Sequence, residues 1–287
     1  MIIISIDVET TGLDLEQCSL LEFSAIVEDT CNIKPLEELP SFSCYIDTGR
    51  LITGSAFALN MNKNILELLA KQEKLNGEEL KDFRLKNSIL NIEDVASSFY
   101  SFLQVHNVIN PFSDEKGSGL SKEWIDSNGH RHMVSVFTNK SKHIHLNILG
   151  KNFGTFDRVF IENIPRWKQM FRIRRRIADP SILLTDWKND EALPNFQTCM
   201  ERSGIDGEVS HTAYDDAKDT LHMLRFATNN YSSNKQFTTL KFPTEEEIDN
   251  ESEEELNKTE SVDWNDLKSI YKNAVNWARK YITENNQ

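Results

Sequence analysis

The sequence predicts an α/β domain built on five strands, followed by an acidic linker and a C-terminal helix. The run Ile2 to Ile6 is apolar at almost every position, as a strand buried on both faces requires. Two more β-rich runs follow it closely, separated by turn-forming segments, which describes an antiparallel meander. Beyond the meander the apolar spacing changes to the helical three-and-four pattern, interrupted by further strand-like stretches.

In order, Gly12 permits a turn after the first strand, Leu20 to Glu28 is the second strand and Phe42 to Ile46 the third. Leu59, Ile65, Leu66, Leu69 and Ala70 give a helix over Ala56 to Lys71, and Val95, Ala96, Phe99, Phe102 and Leu103 give another over Ile92 to Leu103. Between residues 107 and 142 the pattern decays around Pro111, Gly117, Gly119 and Gly129, so this stretch is an insertion or mobile loop with a short strand at Met133 to Phe137. Ile144 to Gly150 alternates as a fourth strand and leads to Asn152, where a helix opens and runs to about Asn163. Ile177-Ala178-Asp179 ends a fifth strand, stopped by Pro180. Helices are expected over Phe196 to Ser203 and Thr212 to Thr228, which closes a domain over residues 1 to 230.

Residues 231 to 260 turn polar and then acidic, a solvated linker, and 261 to 287 recover an amphipathic helix through Trp264, Leu267, Ile270, Tyr271 and Val275. That helix must dock on its own core or on a protein partner. The formal net charge is −13, yet nine acids against one lysine between Pro243 and Glu260 supply −8 of it. Arg166, Lys168, Arg172, Arg174, Arg175 and Arg176 form a basic cluster, either a solvated loop or a strand-guiding patch. A phosphate backbone responds to the local field, so the acidic balance does not exclude nucleic acid. No window is apolar enough to span a membrane, and the first strand begins at Ile2 without a signal-like leader, which points to a cytoplasmic protein. Cys18, Cys31, Cys44 and Cys199 lack metal-site or redox-motif spacing and read as reduced thiols.

Asp7 and Glu9 stand two apart at the end of the first strand, so their carboxylates share a face. Held that close they repel, and a shared divalent cation that prefers hard oxygen donors, Mg²⁺ or Mn²⁺, relieves them. Alone, the pair reads first as an acidic strand end turning into a loop. Partners far along the chain reverse that balance.

Asp7-Val8-Glu9-Thr10-Thr11-Gly12, Asn152-x-x-x-Phe156-Asp157 and His211-Thr212-Ala213-Tyr214-Asp215-Asp216-Ala217 resemble, in order, the three motifs of the DEDD exonuclease superfamily. The resemblance covers residues 1 to about 228, including Arg176 to Pro180 and Leu193-Pro194-Asn195. His211 stands five residues before Asp216, whereas the residue four after Tyr214 is Lys218, so the match is to the histidine branch. That branch includes proofreading subunits of the epsilon type, ribonuclease T and oligoribonuclease.

The resemblance implies a ribonuclease-H-like exonuclease fold with a mixed, helix-flanked sheet. It implies two divalent cations, with Asp7, Glu9 and Asp216 on one, Asp7 bridging to the second and Asp157 completing the shell. His211 would take a proton from the attacking water, and Thr10, Thr11 and Leu13, with Asn152 and Phe156, would bind substrate. Asp215 is the rival of Asp216, placed second because the family spacing favours Asp216. The implied activity is 3′-to-5′ hydrolysis of DNA with a free, single-stranded 3′ end, releasing nucleoside 5′-monophosphates. The alternatives are an exoribonuclease or oligoribonuclease and, from another class, a non-catalytic nucleic-acid or protein interaction module.

Overall fold

A computed structural model describes residues 1–108, 143–229 and 231, together with the backbone of two strands at 120–125 and 131–136. The expected acidic linker and C-terminal helix lie outside the described residues, as does most of the 107–142 insertion.

The meander is present as β1 (Ile2–Thr10), β2 (Leu20–Asp29) and β3 (Ser41–Asp47). The helix expected over Ala56 to Lys71 is two, α1 (Ala56–Met61) and α2 (Lys63–Gln72), broken at Asn62. The break has a tertiary cause: Asn62 is 2% exposed, and its amide donates to Thr10 O at 3.1 Å, pulling the chain onto the end of β1.

Two elements follow that apolar periodicity does not announce, α3 (Gly77–Lys86), which buries no residue, and the short β4 (Ile89–Asn91). β4 joins the sheet parallel to β3, and α4 (Ile92–Val105) crosses behind it. In the insertion, β5 (Leu120–Ile125) and β6 (Arg131–Val136) pair as an antiparallel hairpin.

The expected strand from Ile144 to Gly150 divides at Asn147 into β7 (Ile144–Leu146) and β8 (Ile148–Leu149). Asn147 turns into β1 there, its carbonyl accepting from Ile4 N and its side-chain amide donating to Ile2 O, both at 2.9 Å. β8 pairs parallel to β1. After α5 (Asp157–Ile161) and α6 (Trp167–Met170), β9 (Phe171–Ile173) pairs parallel to β7 as a separate ribbon. The strand expected to end at Asp179 is reduced to one parallel bridge, Ala178 to Leu149, because Asp179 already turns the chain by accepting from Ser181 N. α7 (Ser181–Leu184), α8 (Phe196–Arg202) and α9 (Ala213–Ala227) complete the domain.

The result is a mixed five-stranded sheet in the order β4-β3-β2-β1-β8, flanked by helices. Its fifth member is β4, at the edge opposite the bridging Ala178.

Alternation along β1 divides the interior. Ile4, Ile6 and Val8 enter a core with Phe23, Phe99, Tyr100, Phe160 and Trp167. Ile3 packs with Leu221 and Leu224 of α9, and Ser5 on the same face donates to Ala217 O at 2.7 Å. Asp7 and Glu9 continue that second face, which therefore points toward α9.

β2 grips α9 through two acids on one face. Glu22 accepts from Ala213 N at the start of the helix, and Glu28, fully buried, accepts from Arg225 at its end. Burial raises the Glu28 carboxyl and Arg225 partly offsets this. Removing one partner of such a pair strands a buried charge, at about 3–5 kcal/mol. Arg225→Ala is expected to lower stability by about that amount in denaturant titration, with much of the loss recovered in Glu28→Leu/Arg225→Met. A single mutant as stable as wild type would show that the pair is not a structural tie.

Candidate active site

The site begins where β1 leaves its pairing with β8. That pairing ends at Ser5–Leu149, so the β1 edge beyond it is open. Asp157, at the start of α5 and 2% exposed, fills the gap, its Oδ1 accepting from Val8 N at 3.2 Å. The second motif is thus tied to the strand carrying the first.

Asp216 comes from the first turn of α9. Thr212 caps that helix: its hydroxyl accepts from Asp215 N at 3.2 Å and donates to Asp215 Oδ2 at 2.7 Å. This occupies Asp215 on the exposed side and leaves the next residue facing inward. Asp216, 7% exposed, accepts from Ser210 Oγ at 3.2 Å. Ligand oxygens of Asp7, Glu9 and Asp216 lie within 4.8 Å of one another, the only such group of metal-capable side chains among the described residues. Between the two rival aspartates, the fold brings Asp216 to this cluster.

The electrostatics follow from burial and mutual repulsion. Burial, then Asp157, Asp216 and Glu9, hold the Asp7 carboxyl well above its usual range. Burial pushes Glu9 to about 8, although a hydrogen bond from Asn62 opposes it. Burial likewise lifts Asp157 to about 7, against its hydrogen bond from Val8 N, and Asp216 to about 7, against that from Ser210. A set of hard carboxylate oxygens that resist ionising together suits a divalent cation, which would replace the protons.

Sequence reasoning missed Glu22. It lies opposite Glu9 in the β1–β2 register, is 3% exposed, and accepts from Ala213 N at 3.2 Å and from Ser43 Oγ at 3.5 Å. It satisfies an orphan N–H at the start of α9 and so sets the helix that carries Asp216. A signal was available: Glu22 is an acid set between Leu21 and Phe23 in a largely apolar stretch, and a buried acid needs partners.

Asp7, Glu9, Thr10, Leu13, Phe156 and Asp216 line one cleft of about 1100 Å³, with Phe57 and Met61 on its wall. Leu13 and Phe57 are 84% and 77% exposed, apolar surfaces at the mouth. Thr10 spends its hydroxyl on Gly12 O at 2.7 Å. Thr11, fully buried, does not face the cleft: its hydroxyl donates to Thr53 O at 2.5 Å and accepts from Ser19 N at 2.7 Å. It staples the two loops of the cleft wall together. Gly54 lies so close to it that a Cβ there would sit 2.2 Å from Thr11 O.

Asn152 is exposed outside the cleft lining, in a left-handed conformation (φ 55°), and organises its own loop by accepting from Thr155 N at 3.1 Å and Phe156 N at 3.3 Å. His211 is exposed on the loop entering α9, also with φ 55°, and is not among the cleft-lining residues. No helix among the described residues is long and apolar enough to cross a membrane. All four cysteines are free thiols.

No family model and no curated protein sequence matches the chain. Among solved structures it is similar to E. coli Exonuclease I in complex with a dA16 oligonucleotide, at 16% identity over 79% of this chain and 41% of that one, with a TM-score of 0.40. It is also similar to a full-length 3′-exonuclease, at 11% identity over 80% of this chain and 82% of that one, with a TM-score of 0.41. The chain spans less than half the length of Exonuclease I.

The raised carboxyls fix the sign of a pH effect. An unfolded carboxyl titrates near ~4, whereas Asp157 and Asp216 titrate near 7 and Glu9 near 8 when folded. Between these limits the folded state holds more protons, so stability falls as pH rises and levels off once Glu9 has ionised. In EDTA the Tm is expected to fall between about pH 5 and pH 8, and millimolar Mg²⁺ should restore most of the loss at the upper end. A metal-free Tm that climbs through this window would contradict the cluster.

Proposed function

We propose that the chain is a metal-dependent 3′-to-5′ exonuclease acting on single-stranded 3′ ends of DNA and releasing nucleoside 5′-monophosphates. One observation carries the reading: Asp7, Glu9 and Asp216 converge within 4.8 Å on the floor of an open cleft, with Asp157 tied to the same strand. Direction of attack and product rest on the motif resemblance.

Asp7, Glu9 and Asp216 would hold one divalent cation, Asp7 would be shared with a second, and Asp157 would complete the shell. Such a cation pair supplies neutralisation of charge on the attacking and leaving oxygens of an in-line displacement. Glu22 keeps Asp216 in reach by fixing the start of α9. His211, on the exposed loop entering α9 five residues before Asp216, would take the proton of the attacking water, the role that the motif resemblance implies for it. Leu13, Phe57 and Phe156 offer apolar faces against which the terminal bases stack, a contact tolerant of sequence. Thr10 and Thr11 serve by shaping the wall, since their hydroxyls are already engaged.

A non-catalytic interaction module is the competing reading. It gives no role to four carboxyls crowded together, which resist ionising unless a cation offsets their repulsion. Digestion of matched 3′-labelled and 5′-labelled DNA and RNA, with and without Mg²⁺, separates the readings. Mg²⁺-dependent loss of nucleotides from the 3′ end, faster on DNA, is expected; preference for RNA would transfer the activity to the exoribonuclease alternative, and no cleavage would favour the interaction module.

Asp7→Ala is expected to abolish hydrolysis while leaving metal-free stability equal or higher, because it removes both a shared ligand and a source of repulsion. Retention of more than a few per cent of activity would sink the shared-ligand assignment.

His211→Ala should lower kcat by ~10²- to 10⁴-fold with the Mg²⁺ requirement little changed. Asp216→Asn should be severe and Asp215→Asn mild; the reverse order would shift the third motif by one residue.

A further inference from the structure

Between Asn163 and Ala178 the chain carries six cations and no acid. The fold leaves all six exposed. Trp167, Phe171 and Ile173 are buried in the main core, with Trp167 stacked on Phe99 at a centroid distance of 5.5 Å. The alternating Lys168, Arg172 and Arg174 are exposed, as are Arg175 and Arg176 after them. β7 adds the exposed His145, opposite Arg172 in the β7–β9 register. Arg172 is braced by donating to the carbonyls of Lys168 and Phe171. Among the described residues no carboxylate is ion-paired with Lys168, Arg174, Arg175 or Arg176.

This strip is joined to the site. Past Arg176, Ala178 bridges to Leu149 and accepts from Gly150 N at 3.0 Å. Asp179 then accepts from Asn152 N at 3.0 Å, which binds the end of the strip to the loop that carries Phe156 and Asp157. The chain that leaves the cations is thereby tied to the loop that leads into Phe156 and Asp157. Such concentration in a chain of net charge −13 makes a local positive field that the overall balance does not cancel.

We propose that Lys168, Arg172, Arg174, Arg175 and Arg176 form an exosite for the phosphate backbone of a single nucleic-acid strand whose 3′ end occupies the cleft. The proposal rests on the exonuclease reading for the strand's polarity, and on its own geometry for the binding surface. Guanidinium groups match phosphate oxygens in bidentate fashion, and a row of them reads charge without reading sequence. The competing role for exposed cations beside a short strand is to blunt edge-to-edge pairing, which requires no ligand.

The test is salt-dependent binding of the full chain in the inactive Asp7→Ala background, with a 20-nucleotide single strand as probe. Arg174→Ser/Arg175→Ser/Arg176→Ser is expected to make the slope of log K against log salt shallower by roughly 0.7 for each phosphate left without its cation, with at least a tenfold loss of affinity at low salt. The triple lysine replacement keeps the charge and should retain the slope, which separates loss of charge from loss of fold. An unchanged slope in the serine variant, equal losses in the serine and lysine variants, or no salt-dependent binding by the parent overturns the exosite. Failure of the exonuclease reading looks different: the Asp7-containing chain would cleave neither DNA nor RNA from the 3′ end, while the slopes still report on the surface.

Discussion

Negative charge crowded at the end of β1 is the constraint on which the rest of this structure depends. Asp7, Glu9, Asp157 and Asp216 are drawn together in a largely buried site, and burial pushes each toward its protonated form, with neighbouring carboxylates adding to the shift. Carboxylates in such company drift apart unless the backbone over-determines their positions. Here a separate element answers for each: the sheet holds Asp7 and Glu9, the open β1 edge holds Asp157 through Val8 N, and the capped first turn of α9 holds Asp216. A cluster that resists ionising alone is one that a bound cation would stabilise.

The placement of α9 then becomes the variable that matters. β2 settles it with Glu22 at one end of the helix and Glu28 at the other, and β1 adds Ser5 in the middle. All three bonds come from the sheet face that presents Asp7 and Glu9, so the metal-capable cluster and the means of aligning it share one surface. The start of α9 also brings its positive dipole end toward the acids, which favours their charged forms.

The cleft wall is built the same way, from polar side chains that serve the backbone. Thr11 unites two loops and Asn62 joins a helix break to β1 and to Glu9. These groups keep the wall fixed so that the apolar faces of Leu13, Phe57 and Phe156 are left at its surface. Trp167 and Phe171, buried in the main core, likewise anchor the basic strip.

The sequence by itself determined the elements whose signal is local. A nearly continuous apolar run marked β1, the spacing of Asp7 and Glu9 placed them on one face, and helical spacing from Thr212 to Thr228 marked α9. Within that helix a one-residue step is a turn of roughly 100°, so only docking could show that Asp216 and not Asp215 meets Asp7 and Glu9. Tertiary structure alone decided the breaks at Asn62 and Asn147, the inward role of Glu22 and the engagement of Thr11. Their hydrogen bonds join residues 52, 145, 191 and 42 positions apart, respectively. Periodicity records which face of an element is apolar. It cannot record which distant backbone group a polar side chain will satisfy, because that partner exists only once the sheet has formed.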